Sequence, residues 1–278
     1  MFKLCAVVTS YYPDLEEIEK NILSYLLWVD KLIIWENTPK NESKIAEMAE
    51  KLNSEKIEIR TTGENEFLAK PFNICIQWAK ENGFTHFLTM DQDSRFENGH
   101  FEKYLELIKN YDDGSIAVFA PNIDNIAQNV EIKEVEFAIT SGAVFPLSIF
   151  DAIGGFRENF LIYMIDIEFC LRAKEKGFKT VCITKTHLFH KSGYSNKSKF
   201  GFILNNYSAQ STYYKIRNTI LMWKLYPSYN HNKIIFYKYH VFYRLVKIIF
   251  EKNSLKKTKA IISGVIHGLR GRTGKYEI

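Results

Sequence analysis

Apolar residues in the first hundred positions follow two alternating periods. Leu4 to Thr9 is a short β-branched run, as in a buried strand. Leu15, Ile18, Ile22, Tyr25, Leu26 and Val29 then recur at helical spacing behind Asp14, a residue suited to cap a helix start. Leu32 to Trp35 predicts a second strand, ended by Glu36-Asn37-Thr38-Pro39, and Ile45, Met48, Ala49 and Leu52 predict a second helix. Lys56 to Arg60 alternates as a third strand. Phe72, Cys75, Ile76 and Ala79 mark a helix with Pro71 near its first turn, broken by Gly83. Phe84 to Met90 predicts a fourth strand that runs directly into Asp91.

Strands and helices alternating with short connections argue for a mostly parallel sheet with helices on both faces. Ligands of such α/β sheets bind at the carboxyl ends of the strands. Three polar clusters fall at that edge: Thr9-Ser10, Glu36-Asn37 and Asp91-Gln92-Asp93. Further along, Phe101 to Ile108 predicts a helix, Ile116 to Ala120 a strand, and residues 121–135 a loop with an edge ribbon. Ser141-Gly142 and Gly154-Gly155 mark turns around an apolar stretch. Asp166 to Lys176 reads as a helix ending at Gly177, and Thr180 to Ile183 as a strand.

At 278 residues, the chain has room for a catalytic domain of about 200 residues plus a smaller appendage. Charge divides it the same way. Residues 213–278 carry 14 Lys and Arg against 2 Asp and Glu, whereas residues 1–212 carry 23 basic and 30 acidic residues. The expected organisation is a catalytic domain over 1–212 and a basic helical extension over 213–278. Lys233, His240, Arg244 and Lys247 share one helical face, with Ile234, Ile235, Phe236, Val241, Phe242, Leu245, Ile248 and Ile249 around much of the rest, and Lys238 breaks the pattern. That pattern suits a helix lying on an anionic membrane surface, with a helix packed on the catalytic domain or on a second subunit as the alternative. No run of 18 apolar residues is present, and Met1 to Thr9 does not resemble a signal peptide. Cys5, Cys75, Cys170 and Cys182 each lie in an apolar run without CxxC spacing, as buried thiols of a reduced compartment do. The expected location is cytoplasmic, peripheral at the inner face of the membrane.

Asp91 and Asp93 flank Gln92 at a strand end, where side chains two apart point the same way. Two carboxylates repel by roughly 4 kcal/mol at about 4 Å in an effective dielectric near 20. A divalent cation resolves the conflict, and oxygen ligands favour Mg²⁺ or Mn²⁺. A solvated turn is the plainer alternative. Asp166 and Glu168 form a second acidic pair. Glu168 stands four residues before Arg172, the spacing of a surface ion pair. Asp166, near the helix start, is left to face a cleft as a general base or to serve as an N-cap. His187 and His190 follow the strand predicted to end near Ile183, and an imidazole can complete a metal site begun by carboxylates.

Neither GxGxxG nor GxxxxGK[ST] occurs, nor a GxSxG elbow. A nucleotidyltransferase would need a Gly-rich basic loop after the first strand, and Thr9-Ser10-Tyr11-Tyr12-Pro13 is neither. A non-catalytic nucleic-acid-binding or membrane-binding module is the rival of another class. For nucleic acid it predicts basic and aromatic residues spread over an open face.

Taken in order, the motifs resemble those of the inverting glycosyltransferases of family 2, which have the GT-A fold, and within them the bacterial rhamnosyltransferases of surface polysaccharide synthesis. The matching stretches are Ala6 to Tyr11, Leu32 to Asn37, Gly63-Glu64-Asn65 with Asn73, Met90 to Ser94, Gly154 to Glu158, Tyr163 to Arg172, His190 to Gly193, and Tyr213 to Asn218 as a YYxxRN element. The resemblance implies a GT-A α/β fold with a helical C-terminal extension. It implies a donor site made of Thr9, Ser10, Glu36, Asn37, Asn73, Asp91, Gln92 and Asp93. Asp166 would be the catalytic base, with Asp93 and His190 as metal contacts for Mg²⁺ or Mn²⁺. The donor would be dTDP-rhamnose or a UDP-sugar and the acceptor a saccharide, lipid-linked in one version, with no nucleic acid; other hexosyl- or galactosyltransferases of the same fold are the alternative. Two positions depart from the family pattern: Glu36 replaces the usual Asp, and Ile165 replaces the usual acidic residue before Asp166.

Overall fold

β1 (Leu4–Ser10) is buried along its whole length, because strands flank it on both sides and helices cover both its faces. It pairs in parallel with β2 (Lys31–Glu36) and β4 (His86–Asp91), and β3 (Ile57–Arg60) extends this half beyond β2. Leu4, Ala6 and Val8 point to the face covered by α1 (Leu15–Leu23), α2 (Ile45–Leu52) and α4 (His100–Tyr111), all joined in one apolar core. Cys5 points the other way, towards Cys75 of α3 (Ala69–Glu81). Such double coverage explains why the strands read as continuous apolar runs. Asp14 caps α1 by accepting from the Glu16 and Glu17 amides at 3.1 and 3.0 Å.

The computed structural model describes residues 1–123, 129–191, 196–197, 203–204, 207–228, 241–242, 245, 248 and 253–276. Among these, the strand order is β3-β2-β1-β4-β8-β6-β9-β5, where β5 is Ser94–Phe96, β6 Ile116–Asn122, β8 Ala143–Pro146 and β9 Lys179–His190; β7 (Ile132–Glu134) also pairs with β9. β8 is antiparallel to both β4 and β6, so the sheet is mixed beyond β4. The sequence pattern predicts only an apolar stretch there. Periodicity cannot separate a four-residue buried strand from other buried apolar segments.

β9 also exceeds its prediction, continuing from Ile183 to His190. Its polar second half is held by pairing, with Asn122 opposite His187, and Ser94 opposite His190. The buried Thr186 hydroxyl donates to the Ile183 carbonyl at 2.9 Å, so a polar strand costs little here. α5 (Ile149–Ile153) and α6 (Ile165–Glu175) complete the elements before β9.

The chain divides into two compact units, Met1–Arg157 with Asp166–Lys191, and Glu158–Ile165 with Ser192–Ile278. The second unit contains a ribbon of β10 (Asn196–Lys197) and β11 (Ile203–Leu204), then α7 (Ala209–Leu225) and α8 (Ser254–Arg270). Ile216, Ile220 and Trp223 of α7 meet Ile261 of α8 in its core, together with Ile248. Lys233, His240, Arg244 and Lys247, the expected basic face, lie outside the described residues, as do Ile234, Ile235, Phe236, Lys238 and Ile249. No helix among the described residues is long and apolar enough to cross a membrane.

Candidate active site

The register of the parallel strands brings the polar clusters together. Thr9 lies opposite both Trp35 and Asp91, and Ser10 lies opposite Glu36. All belong to the carboxyl edge of β1, β2 and β4. The backbone turns after Asp91 and returns as β5, whose pairing with the end of β9 delivers His190 to Ser94. His190 Nδ1 lies 3.9 Å from an Asp91 oxygen and 3.8 Å from an Asp93 oxygen. One ligand atom from each of Asp91, Asp93 and His190 falls within 4.8 Å of the others. Two carboxylates and an imidazole on so small a perimeter form a donor set that suits Mg²⁺ or Mn²⁺.

The electrostatics fit the same reading. Burial, then repulsion from Asp93, raises the Asp91 carboxyl above the ordinary carboxylate range, and the Asp166 charge adds to it. Burial raises Asp93 as well, while His190 and Lys191 pull it down. Asp166 is thus within electrostatic reach of Asp91, although the two are 75 positions apart. It lies in the first turn of α6 and accepts from the Ile167 amide at 2.8 Å. Burial beside Phe145, Phe156, Phe169 and Cys170 raises its carboxyl too. A base whose pKa moves up towards the working pH accepts a proton more readily.

The remaining expected donor residues engage the loops of the rim. Gln92 accepts from the Tyr11 amide at 2.7 Å and donates to the Tyr11 carbonyl at 3.3 Å, tying the turn after β1 to the acidic triplet. Glu36 accepts from the Thr38 amide at 2.6 Å and from the Ser43 hydroxyl at 2.7 Å, and is buried. Asn37 donates to the Phe67 carbonyl and accepts from the Glu66 amide. Asn73 makes a matched pair with the Phe156 backbone, 2.8 Å in each direction. A Cβ on Gly155 would stand 2.5 Å from Asn73 Oδ1, which is why glycine precedes Phe156. Thr9 and Ser10 are buried at the end of β1.

Glu168 corrects one expectation. Its pair with Arg172 forms, at 2.9 Å, but Glu168 is fully buried and also accepts from Arg157 at 2.6 Å. Arg172 further donates to the carbonyls of Ile153, Gly154 and Gly155, so the pair locks the glycine turn onto α6. His187 bonds Glu97 at 2.8 Å and takes no part in the acidic cluster.

Sequence reasoning missed three participants. Ser94 Oγ lies 2.7 Å from His190 Nδ1, and the Ser141 hydroxyl donates to Ser94 Oγ at 2.7 Å, so Ser94 holds the imidazole ring and Ser141 holds Ser94. Lys191 pairs with Glu17 at 3.2 Å and lies near enough to Asp93 to lower its pKa. Small hydroxyls and a lone lysine carry no spacing signal, and it is the β5–β9 pairing that sets Ser94 beside His190.

Residues 7–170 match the model of glycosyl transferase family 2. The chain belongs to that family. A curated relative, the dTDP-rhamnosyl transferase RfbF of Shigella flexneri, is 26% identical over 295 residues, spanning 97% of this chain and 96% of the relative. A second, the low-salt glycan biosynthesis hexosyltransferase Agl10 of Haloferax volcanii, is 26% identical over 149 residues, 52% of this chain and 46% of its own. Solved glycosyltransferases share the fold. GalNAc-T7 with UDP, GalNAc and Mn²⁺ superposes with a TM-score of 0.62 at 11% identity, covering 81% of this chain and 48% of that one. S. aureus TarS 1-349 in complex with UDP-GlcNAc gives 0.55 at 11% identity, covering 98% and 82%. This family 2 glycosyltransferase therefore has the GT-A fold expected of it, with C-terminal helices after the catalytic sheet.

Proposed function

We propose that the enzyme transfers a sugar, rhamnose favoured, from a nucleotide-diphosphate donor to a saccharide acceptor in bacterial surface polysaccharide synthesis, with inversion. The observation that carries this reading is the convergence of Asp91, Asp93 and His190 at one strand edge, within electrostatic reach of Asp166. The near full-length likeness to a dTDP-rhamnosyl transferase supports the choice of sugar.

Asp91, Asp93 and His190 are the residues that would hold a divalent cation, with Asp93 the more direct ligand. When bound, Mg²⁺ or Mn²⁺ supplies positive charge that stabilises the departing nucleoside diphosphate. Lys191 adds a fixed cation beside Asp93. Thr9, Ser10, Glu36, Asn37, Asn73 and Gln92 shape the donor site, largely by fixing its loops. Asp166 takes the proton of the acceptor hydroxyl as that oxygen attacks the anomeric carbon from the face opposite the leaving group. One displacement inverts the anomeric configuration. A lipid-linked saccharide suits such an acceptor.

A thermal-shift screen of nucleotide sugars with and without Mn²⁺ tests the donor, because a ligand of the folded state raises stability with its excess over Kd. The expected result is a metal-dependent shift with dTDP-rhamnose exceeding those with UDP-sugars. Asp166→Asn is expected to keep that shift and lose transfer by about 10²- to 10⁴-fold. Near-wild-type transfer by Asp166→Asn would remove Asp166 from the base role, and a metal-independent donor shift would remove the cation.

A further inference from the structure

α8 is a helix with two unlike faces, and the inner one fixes where the outer one points. Gly264 and Gly268 lie four residues apart on the inner face. A Cβ on Gly264 would stand 3.0 Å from the Tyr213 carbonyl oxygen, and one on Gly268 would stand 2.8 Å from Ile220 Cβ and 3.0 Å from the Arg217 carbonyl oxygen. α8 therefore packs almost backbone to backbone on α7, and the helix has no freedom to roll.

The outer face is apolar where a soluble surface would be polar. Leu255, Ile262, Ile266 and Leu269 are spaced seven, four and three apart and share one side of the helix. They are exposed by 86, 52, 41 and 55%. Lys259 and Arg270 flank this stripe, and Lys256 lies beyond them, all three exposed. Arg272 and Lys275 follow, also exposed. No Asp or Glu occurs between positions 253 and 276. The helix has 17 residues, about 26 Å at 1.5 Å per residue, and is not long and apolar enough to span a bilayer.

We infer that the outer face of α8 is a docking surface for an anionic lipid bilayer, with the helix lying in the plane of the headgroups. The stripe enters the headgroup–acyl boundary, and Lys256, Lys259 and Arg270 meet lipid phosphates beside it. A nucleic acid would use the basic residues and leave four aliphatic side chains in water. A second copy of this chain would bury the stripe but bring like charges together at its edge. This surface is independent of which sugar the enzyme moves, and it differs from the segment carrying Lys233, His240, Arg244 and Lys247.

Vesicle flotation of the full chain tests it, with vesicles of phosphatidylcholine alone and of phosphatidylcholine mixed with phosphatidylglycerol. Wild type is expected to float with the anionic vesicles only, and to bind less as salt rises from about 0.1 to about 0.5 M. The pair Lys256→Glu and Lys259→Glu is expected to weaken binding by about tenfold or more, as charge reversal against an anionic surface does. The pair Ile262→Ser and Ile266→Ser is expected to weaken it while leaving the melting temperature within a few degrees, because both side chains already face solvent. Flotation of both variants equal to wild type would overturn the inference. So would equal binding to neutral vesicles, a concentration-dependent dimer abolished by the Ile262 and Ile266 changes without any vesicle binding, or binding to single-stranded nucleic acid in place of vesicles.

Discussion

Asn218 donates through Nδ2 to the carbonyl of Tyr163, three residues before Asp166, at 3.0 Å. The same amide reaches the carbonyls of Phe160 and Ile162 at 2.9 and 2.6 Å. Its neighbour Arg217, fully buried, donates to the Asn159 and Phe160 carbonyls and to that of Gly274. Leu161, Tyr163 and Met164 all have positive φ, 67°, 60° and 63°. Non-glycine residues in that region cost of order 1 kcal/mol or more each and persist only when neighbours over-determine them. The carbonyls gathered by Arg217 and Asn218 provide that over-determination for the segment entering α6.

Asn218→Ala is therefore expected to lower unfolding free energy by about 2 kcal/mol, because buried carbonyls lose their donor. Urea denaturation of the variant beside wild type checks this, and an unchanged midpoint would mean that the Asn218 amide does not hold the segment.

Asp91 and Asp93 make a prediction about pH. Burial raises both carboxyls above the ordinary carboxylate range in the folded chain, and repulsion from Asp93 adds to this at Asp91. A raised acid pKa means the folded state holds its proton more tightly than the unfolded state does. The site is then neutral towards stability below the ordinary carboxylate pKa and becomes unfavourable as pH rises through the raised values. A cation held by these carboxylates would reverse this, since only deprotonated carboxylates ligate. The rise in melting temperature on adding Mn²⁺ is expected to be larger at about pH 8 than at about pH 5. It should vanish in Asp93→Asn; a pH-independent rise that survives that change would assign the metal elsewhere.

Much of this site is legible in the sequence because its key residues interrupt strong patterns. The apolar run of β4 stops at Asp91, and Asp166 opens a helix, so both stand out. Glu168 does not, because an i,i+4 pair with Arg172 reads the same on a surface as in a core. Its burial depends on Arg157, which reaches it from the preceding loop. The second half of β9 is hidden for a related reason: Thr184, Thr186 and His187 look like loop residues, and only the folded chain sets Asn122 of β6 opposite His187 and the β5 residues opposite Leu188 to His190. Arg217 and Asn218 sit inside a helix, where polar residues usually signal an exposed face. Here they are buried because the carbonyls they hold come from a segment more than fifty residues away.

Glu168 is expected to be costly to remove. With Glu168→Ala, Arg172 keeps its backbone acceptors but loses its counter-charge, and Arg157 loses its carboxylate. Breaking a buried ion pair by removing one partner costs about 3–5 kcal/mol, and the partial exposure of Arg157 argues for the lower end. Glu168→Gln, which keeps one acceptor oxygen, is expected to lose less. Chemical denaturation of the two variants checks the order, and an Ala variant as stable as the Gln variant would mean that the retained acceptor oxygen contributes nothing.

The seam between α7 and α8 makes the last prediction, and here two effects oppose each other. Replacing a mid-helix glycine by alanine favours the helix by about 1 kcal/mol. Overpacking a tight contact costs about 1–3 kcal/mol. At Gly268 the new Cβ would stand 2.8 Å from Ile220 Cβ and 3.0 Å from a backbone carbonyl, and neither can swing aside as a side-chain tip can. Packing therefore wins, and Gly268→Ala is expected to destabilise. At Gly264 a backbone carbonyl also stands at 3.0 Å, but the Ile216 carbons stay at 3.2 and 3.3 Å and no contact matches the 2.8 Å one at Gly268, so a shift of a few tenths of an ångström relieves it. There the two effects nearly cancel. Thermal unfolding should thus rank Gly268→Ala well below Gly264→Ala, with the latter near wild type. The reverse order would mean that α8 does not approach α7 as closely at Gly268 as at Gly264.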